Sequence, residues 1–294
     1  ALWLSDKIVE LSKGYSSANE ALALAEERIK YLRNTKNSWR NHNINSDVQA
    51  LLDEADLLKV QWQKKHPLGV SQLQRMLENF TTEYTFESNR IEGNTLTLKE
   101  TFLVVDQGLT IGGKSMIEHL EAINHSDAIE FVYGLIEDKT PLTPRVVYQL
   151  HQLILRGIDP ENAGSHRKVQ VKIGGSKHDP PQPFELDILM EKYFRHYSDY
   201  KSSIHPILMA ADLHELLVTI HPFIDGNGRT SRLVMNLLLL QNGFTIANLK
   251  GDGPSRIRYY EALEKVQVDN DSNPFYQLIA QECVSSLKAH LALC

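Results

Sequence analysis

The sequence predicts a mainly α-helical protein with one small β-hairpin, and three observations carry that expectation. Most of the 294 residues fall in stretches whose apolar positions recur at helical spacing. No internal repeat or low-complexity tract interrupts them. One segment alone, KVQVKIGGSK at 168–177, alternates Val169, Val171 and Ile173 with Gln170 and Lys172, then turns at Gly174-Gly175. That is the pattern of a strand entering a hairpin.

Taken in order, ALALAEERIKYLR (21–33) and SDVQALLDEADLLKVQWQKK (46–65) are amphipathic, with Ser46 or Asp47 as the N-cap of the second. All three tryptophans, Trp3, Trp39 and Trp62, precede the first proline, Pro67. HPLG at 66–69 is therefore the expected boundary between an N-terminal helical extension, 1–66, and a second unit, 67–294. VSQLQRMLENFTTEYTFESNRIEGN reads as one long helix, about 70–93, ended by Gly93. Thr97 and Glu100 have capping-box spacing and open the next. Further helices are expected near 115–136, 144–156, 184–198, 206–220, 229–242, 255–267 and 273–290.

The apolar share of 42% and charged share of 23% are ordinary for a globular protein. A formal charge of −6 argues against a nucleic-acid partner, which needs a basic face. No apolar run reaches spanning length and nothing at the start reads as a signal sequence, so no membrane partner is expected. Cys283 and Cys294 make no disulfide framework and fit a reducing cytoplasm.

Two segments match phosphate-binding patterns. GLTIGGKS (108–115) has the P-loop spacing of Gly108, Gly113, Lys114 and Ser115. A P-loop also needs a parallel sheet around it, which one hairpin cannot supply, so an ordinary interhelical loop is expected here. HPFIDGNGRTSRL (221–233) stands on firmer ground. Gly226 and Gly228 flank Asn227 and permit positive φ, so successive backbone N–H groups can face one concavity. The helix that follows adds its own unpaired amides. Arg229 and Arg232 share a face of its first turns, where cations oppose the helix dipole unless an anion binds. Asp225 suits Mg²⁺, which takes one or two carboxylates with phosphate oxygens and water, or else caps the helix. His221, beside the phosphate nest, is a candidate general base. His205 and His214 lack such companions and read as structural. HELLV (214–218) lacks the second histidine of a zinc-protease motif.

HPFIDGNGRTSR resembles the signature of the Fic family, His-Pro-Phe-x-Asp/Glu-Gly-Asn-Gly-Arg-x-x-Arg, with every fixed position filled. The resemblance covers about 80–285 and includes ENAGSHRKVQVKIGGSKHDPPQP, similar to the family's segment before the motif and its flap. It implies a helical Fic core that transfers AMP from ATP to a Ser, Thr or Tyr hydroxyl of a target protein or of itself. His221 would deprotonate that hydroxyl and Asp225 would hold Mg²⁺. Gly226, Asn227 and Gly228 would cradle phosphate oxygens, with Arg229 and Arg232 on the distal phosphates. Phosphoryl transfer asks mainly for such positioning and electrostatic stabilisation. The flap, Val169, Gln170, Val171, Lys172 and Ile173, would pair with an extended target segment, or merely cover the core.

SNRIEG (88–93) fits the family's inhibitory pattern Ser/Thr-x-x-x-Glu-Gly/Asn through Ser88 and Glu92, as in the subclass whose inhibitory helix precedes the core. Glu92 ends a helix, where the dipole disfavours an anion, and Arg232 is the expected partner that offsets this. The same glutamate would serve a reverse reaction, removal of AMP. A catalytically silent binding module is a third reading, and a homo-oligomer is left open. Tyr259 and Tyr260 either border the adenine or pack the core, and Gln267 stands where some relatives carry an asparagine that contacts the base.

Overall fold

PILMAADLHELLVTI and NGRTSRLVMNLLLLQ carry apolar or small residues around much of their circumference, and helices of that kind are buried on most sides. The computed structural model describes residues 18–34, 42–65 and 70–293 and places both segments in the core. Eleven α-helices occur among the described residues. They begin with α1 (Ala18–Asn34), α2 (Ser46–Lys64), α3 (Val70–Ile91), α4 (Leu98–Val105), α5 (Met116–Glu137) and α6 (Pro144–Ile154). After a short 3₁₀ turn come α7 (Leu186–Tyr200), α8 (Pro206–Ile220), α9 (Asn227–Gln241), α10 (Gly253–Asp269) and α11 (Asn273–Ala292).

Helices α8 and α9 pack on each other and are joined by the loop 221–226. Helices α7 and α11 lie against α8, α5 and α6 against α9, and α3 along α5. Helix α2 packs on α11, and its Val48, Leu52, Ala55 and Trp62 belong to the same buried cluster as Leu217 and Leu237. This part of the N-terminal extension therefore shares the central core. The HPLG segment expected to mark a boundary lies outside the described residues, as do Trp3, Trp39 and Cys294. Aromatic contacts carry the extension on to α3. Trp62 meets the edge of the His290 ring at 5.3 Å, and His290 stacks on Phe80 of α3 at 3.7 Å.

Capping explains the starts of these helices, with one correction. Asn45, not Ser46 or Asp47, caps α2, because its Oδ1 accepts the N–H of Val48 at 2.9 Å. Thr97 and Glu100 form the expected capping box on α4. Ser115 and Glu118 form a second on α5, and Lys114 Nζ donates to the carbonyl and hydroxyl of Thr95. The P-loop-like residues are thus occupied as helix cap and loop anchor, with no strand before them.

The hairpin expectation needs a larger correction. Residues 168–177 turn at Gly174-Gly175, where Gly175 has φ +77 and Ser176 N–H donates to Ile173 O at 3.2 Å, yet no strand forms among the described residues. The return segment, HDPPQP, contains Pro180 and Pro181, which have no N–H to give a ladder. Side chains take the carbonyls instead: Arg167 donates to Val169 O at 2.9 Å and Gln170 to Pro180 O at 2.7 Å.

Candidate active site

The loop 221–226 leaves α8 at His221, which has φ 50 and ψ 57, a left-handed conformation uncommon for a residue with a Cβ. Its N–H still bonds Leu217 O at 2.9 Å, so the strained residue is also the helix C-cap. His221 Nδ1 lies 3.2 Å from Val218 O. A carbonyl only accepts, so Nδ1 carries the hydrogen and Nε2 keeps a lone pair. Burial pushes the pKa of His221 down to about 4, and nearby Arg167 acts in the same direction. The ring is therefore neutral at pH 7, the state a proton acceptor requires.

Three buried side chains hold this loop. Asn227 accepts the Phe223 N–H at 3.0 Å and donates to the Phe223 carbonyl at 2.9 Å. Its amide is thus engaged within the loop, and its backbone N–H is what remains for an anion. His151 Nε2–H donates to Asp225 O at 2.9 Å while its Nδ1 accepts the Gly164 N–H at 2.8 Å, which fixes one tautomer. Arg167 is buried with backbone partners, its Nε donating to His221 O at 2.8 Å and its own N–H to Pro222 O at 2.8 Å. Gly226 has φ +74, and a Cβ there would come 3.3 Å from both His151 and Ile154, so glycine is required twice over. Asn227→Ala should orphan two buried backbone groups of Phe223 and cost about 1–3 kcal/mol of stability, measured by denaturant unfolding.

Beyond the loop, no side chain caps the start of α9, and two arginines of its first turns are each met by an acid. Arg232 is fully buried. Its Nε donates to Ser88 Oγ at 2.9 Å, and its NH2 donates to Ser88 O at 2.9 Å and to Glu92 Oε1 at 2.7 Å. Its third nitrogen, NH1, is buried without a partner. Burial opposes ionisation of Glu92, but Arg232 and then Arg229 outweigh it and hold the carboxyl below the usual range. A Cβ built on Gly228 would lie 2.3 Å from Glu92 Oε1, so this carboxylate sits directly against the first turn of α9. Arg229 is held at 2.8 Å by Glu121 of α5 and at 3.3 Å by Asp225. Glu121 in turn accepts from Asn94 at 2.9 Å. Asp225 keeps an exposed carboxylate whose Oδ1 accepts the Gly226 N–H.

A cavity of about 430 Å³ opens here, lined by Glu92, His221, Gly228, the flap residues Ile173 to Ser176, and Tyr259, Tyr260 and Gln267 of α10. It is within the size range of small-molecule sites. Tyr259 is buried, with its hydroxyl 3.2 Å from His214 Nε2, so the core and the cavity wall share it. Tyr260 donates to Ile91 O at 3.2 Å and so ties α10 to the end of α3. Gln267 Nε2 donates to Thr219 Oγ1 at 3.2 Å. His205, as expected, is structural, accepting the Ile207 N–H at the start of α8.

The structure thus brings His221, Gly228, Glu92, Tyr259, Tyr260 and Ile173 around one cavity, with Asp225, Gly226, Asn227, Arg229, Arg232 and Ser88 in or bonded to the adjoining loop and helix, whereas Val169, Gln170, Val171 and Lys172 of the flap do not line it. Sequence reasoning missed Glu121, His151 and Arg167, which carry no local pattern.

Comparison with known proteins agrees with this geometry. The Fic/DOC family model matches residues 141–239. The chain is 36% identical over 258 residues to protein adenylyltransferase Fic of Drosophila virilis, an alignment covering 85% of this chain and 52% of that one. It spans about half the length of the curated relatives it matches. Among solved structures, Fic-1 of C. elegans superposes with a TM-score of 0.73 at 26% identity, covering 95% of this chain and 78% of that one. A Fic domain containing signaling protein from Bacteroides thetaiotaomicron gives 0.74 at 26% identity, with 84% and 96% covered. The loop 221–226 with its histidine, helix α8 and most of α9 fall inside the span that the family model matches, and the chain carries a Fic/DOC family domain.

Proposed function

We propose that the chain is a protein adenylyltransferase that moves AMP from ATP to a Ser, Thr or Tyr hydroxyl of a target protein or of itself, and that Glu92 restrains it. The observation that carries this reading is the Glu92–Arg232 contact. A carboxylate already lies on the first turn of α9, bonded to a buried arginine that keeps another donor unpaired, so the site is built for an anion. In the reaction the hydroxyl oxygen bonds to the α phosphorus, the bond from that phosphorus to the bridging oxygen breaks, and pyrophosphate leaves. His221 Nε2 takes the hydroxyl proton. The N–H groups of Gly226, Asn227 and Gly228 face charge developing on phosphate oxygens, and Arg229 and Arg232 bind the distal phosphates.

Asp225 offers an exposed carboxylate beside the loop, a donor that fits Mg²⁺ together with phosphate oxygens and water. When bound there, the ion neutralises phosphate charge and that of the departing pyrophosphate. The flap segment Val169, Gln170, Val171, Lys172 and Ile173 joins no strand ladder and suits docking of an extended target peptide. Tyr259 and Tyr260 form the base wall, with Gln267 behind them. Residues 67–294 carry the reaction, α3 acts as the inhibitory helix, and the extension within 1–66 braces α3 through Trp62 and His290. A cytoplasmic setting fits the sparse cysteine content. Glu92 lines the same cavity as His221, which also favours a second reading, in which Glu92 orients water to remove AMP from a modified target.

The test is ATP labelled on the α or the γ phosphate, incubated with Mg²⁺ and either wild type or Glu92→Gly. Protein label from α alone, stronger in Glu92→Gly, is expected. Label from γ would make the chain a kinase and end the proposal. Label from neither, with ATP bound, turns the test to AMP-modified substrates.

The position of α3 gives a separate expectation. Gly251 donates its N–H to Glu87 at 2.8 Å, and a Cβ on it would come 2.9 Å from Arg90 Cβ and Ile91 N. Gly251→Ala should therefore push the last turn of α3 and cost about 1–3 kcal/mol by overpacking. Basal AMP transfer should rise several-fold as Glu92 is displaced, read from the same α-label assay alongside thermal unfolding.

A further inference from the structure

We propose that His42, His196 and Asp212 form a zinc-type metal site, distinct from the nucleotide site and placed where the N-terminal extension meets the core. His42 Nε2 lies 2.7 Å from Asp212 Oδ2, and His196 Nε2 lies 3.0 Å from the same oxygen. The three candidate ligand atoms all fall within 4.8 Å of one another. They come from three parts of the chain: the residues ahead of α2, helix α7 and helix α8.

Burial and convergence are the first argument. Asp212 is completely buried, and among the described residues its ion-pair partners are His42 and His196 alone. Its Oδ2 lies against both imidazoles and its Oδ1 against the Tyr276 hydroxyl, so both oxygens are engaged by this cluster. Buried carboxylates are ordinarily paired or bound to a metal, and this one gathers both imidazoles on a single oxygen. One dication between the three atoms would take the place of these hydrogen bonds.

Donor type and support are the second. Two imidazole nitrogens with one carboxylate oxygen suit Zn²⁺ or its surrogate Co²⁺, whereas Mg²⁺ prefers oxygen alone. Tyr276 donates to Asp212 Oδ1 at 2.6 Å, turning Oδ2 toward the histidines as an outer partner of a ligating carboxylate does. The His42 ring stacks on His196 at 6.1 Å and on Tyr276 at 6.4 Å, which sets its orientation. Tetrahedral zinc bonds near 2 Å place neighbouring ligands about 3.3 Å apart, so each His–Asp pair opens by roughly half an ångström on loading. His42, with 24% of its side chain exposed, is the ligand free to make that adjustment and leaves a route for solvent in a fourth position. Loading would fasten the chain ahead of α2 to α8, the helix that ends in His221.

The experiment is titration of the chelator-treated full chain with Zn²⁺ by calorimetry and with Co²⁺ by visible absorption. One ion per chain, with the intense bands of four-coordinate cobalt and a raised Tm, is expected. His42→Ala should weaken binding at least 10-fold, and Asp225→Ala should leave it unchanged. Absence of the cobalt bands in wild type would overturn the proposal without reference to any variant. Equal Zn²⁺ stoichiometry and affinity in His42→Ala would overturn it as well, because the ion would then sit elsewhere.

Discussion

His221→Ala, made in the Glu92→Gly background, should lower AMP transfer by about 10²–10⁴-fold, the range a positioned general base contributes. The whole effect should fall on kcat, with ATP affinity little changed, because under the proposed function the imidazole acts on the target hydroxyl while Arg229 and Arg232 bind the distal phosphates. Single-turnover transfer of α label, with ATP binding measured in parallel, separates the two. Transfer that survived at more than about a tenth of the parent rate would remove His221 from the mechanism, since less than 10-fold is not general-base catalysis. The pH profile adds a second check. His221 has a folded pKa pushed down to about 4 by burial. It stays neutral above that value, so the acid limb of kcat/KM for the free enzyme should fall near pH 4 and not near the ordinary 6.5. The sign for stability follows. Unfolded His221 takes a proton near pH 6.5 and folded His221 only near 4, so acidification through that window weakens the fold.

The parts of the site that could be read in the sequence were those written in consecutive residues. Gly226 demands an unusual backbone, Gly228 lies in regular helix and leaves room for Glu92, and Arg229 and Arg232 break the preference for acids in a first helical turn. Such local anomalies survive without a structure. Glu121, His151 and Arg167 gave no such signal. Glu121 is one acid among several on an amphipathic helix, and it matters because α5 passes beside Arg229, 108 positions away in sequence. His151 lies on the apolar face of α6, and nothing local shows that its ring stacks on Phe223 at 3.7 Å and supports the Asp225 carbonyl. Helix placement was legible from periodicity because α8 and α9 are nearly all core. The flap was misread for a definite reason: alternation in 169–173 describes one strand, whereas a hairpin also needs N–H groups on the return, and prolines stand there.

The side chain of Asn227 is engaged otherwise than its place in the sequence suggested. Its place between two glycines suggested a phosphate ligand, yet its side chain closes the loop through Phe223. Under the proposed function, cradling of phosphate is then left to backbone amides, whose direction is set by buried groups beneath them. In this arrangement catalytic and folding demands meet in one residue, and substitutions at 227 are expected to lower stability and activity together.

Glu92→Gly should raise AMP transfer by about 10- to 100-fold, because the contact it removes is a charge-assisted hydrogen bond of the kind worth about 1.5–3 kcal/mol. The gain depends on what stays behind. Arg232 keeps both bonds to Ser88, at 2.9 Å each, so its guanidinium remains aimed at the first turn of α9 with NH1 and part of NH2 free for phosphate. Losing the carboxylate should cost only about 1–2 kcal/mol of stability, below the 3–5 kcal/mol of a fully buried pair, since 31% of the Glu92 side chain is exposed. Glu92→Gln separates charge from bulk: the amide oxygen can still accept from Arg232, and an intermediate rise is expected. Mild acid should not mimic either change. The Glu92 pKa lies below its ordinary value of 4.5, so the carboxylate, and with it the contact, persists down through that pH and is lost only below it. Wild type should therefore stay restrained from pH 8 to pH 5.5, and relief of the brake must come from displacing α3. An equal rate in wild type and Glu92→Gly, with Arg232 intact and ATP bound in both, would mean that Glu92 is no brake and leave AMP removal as its role.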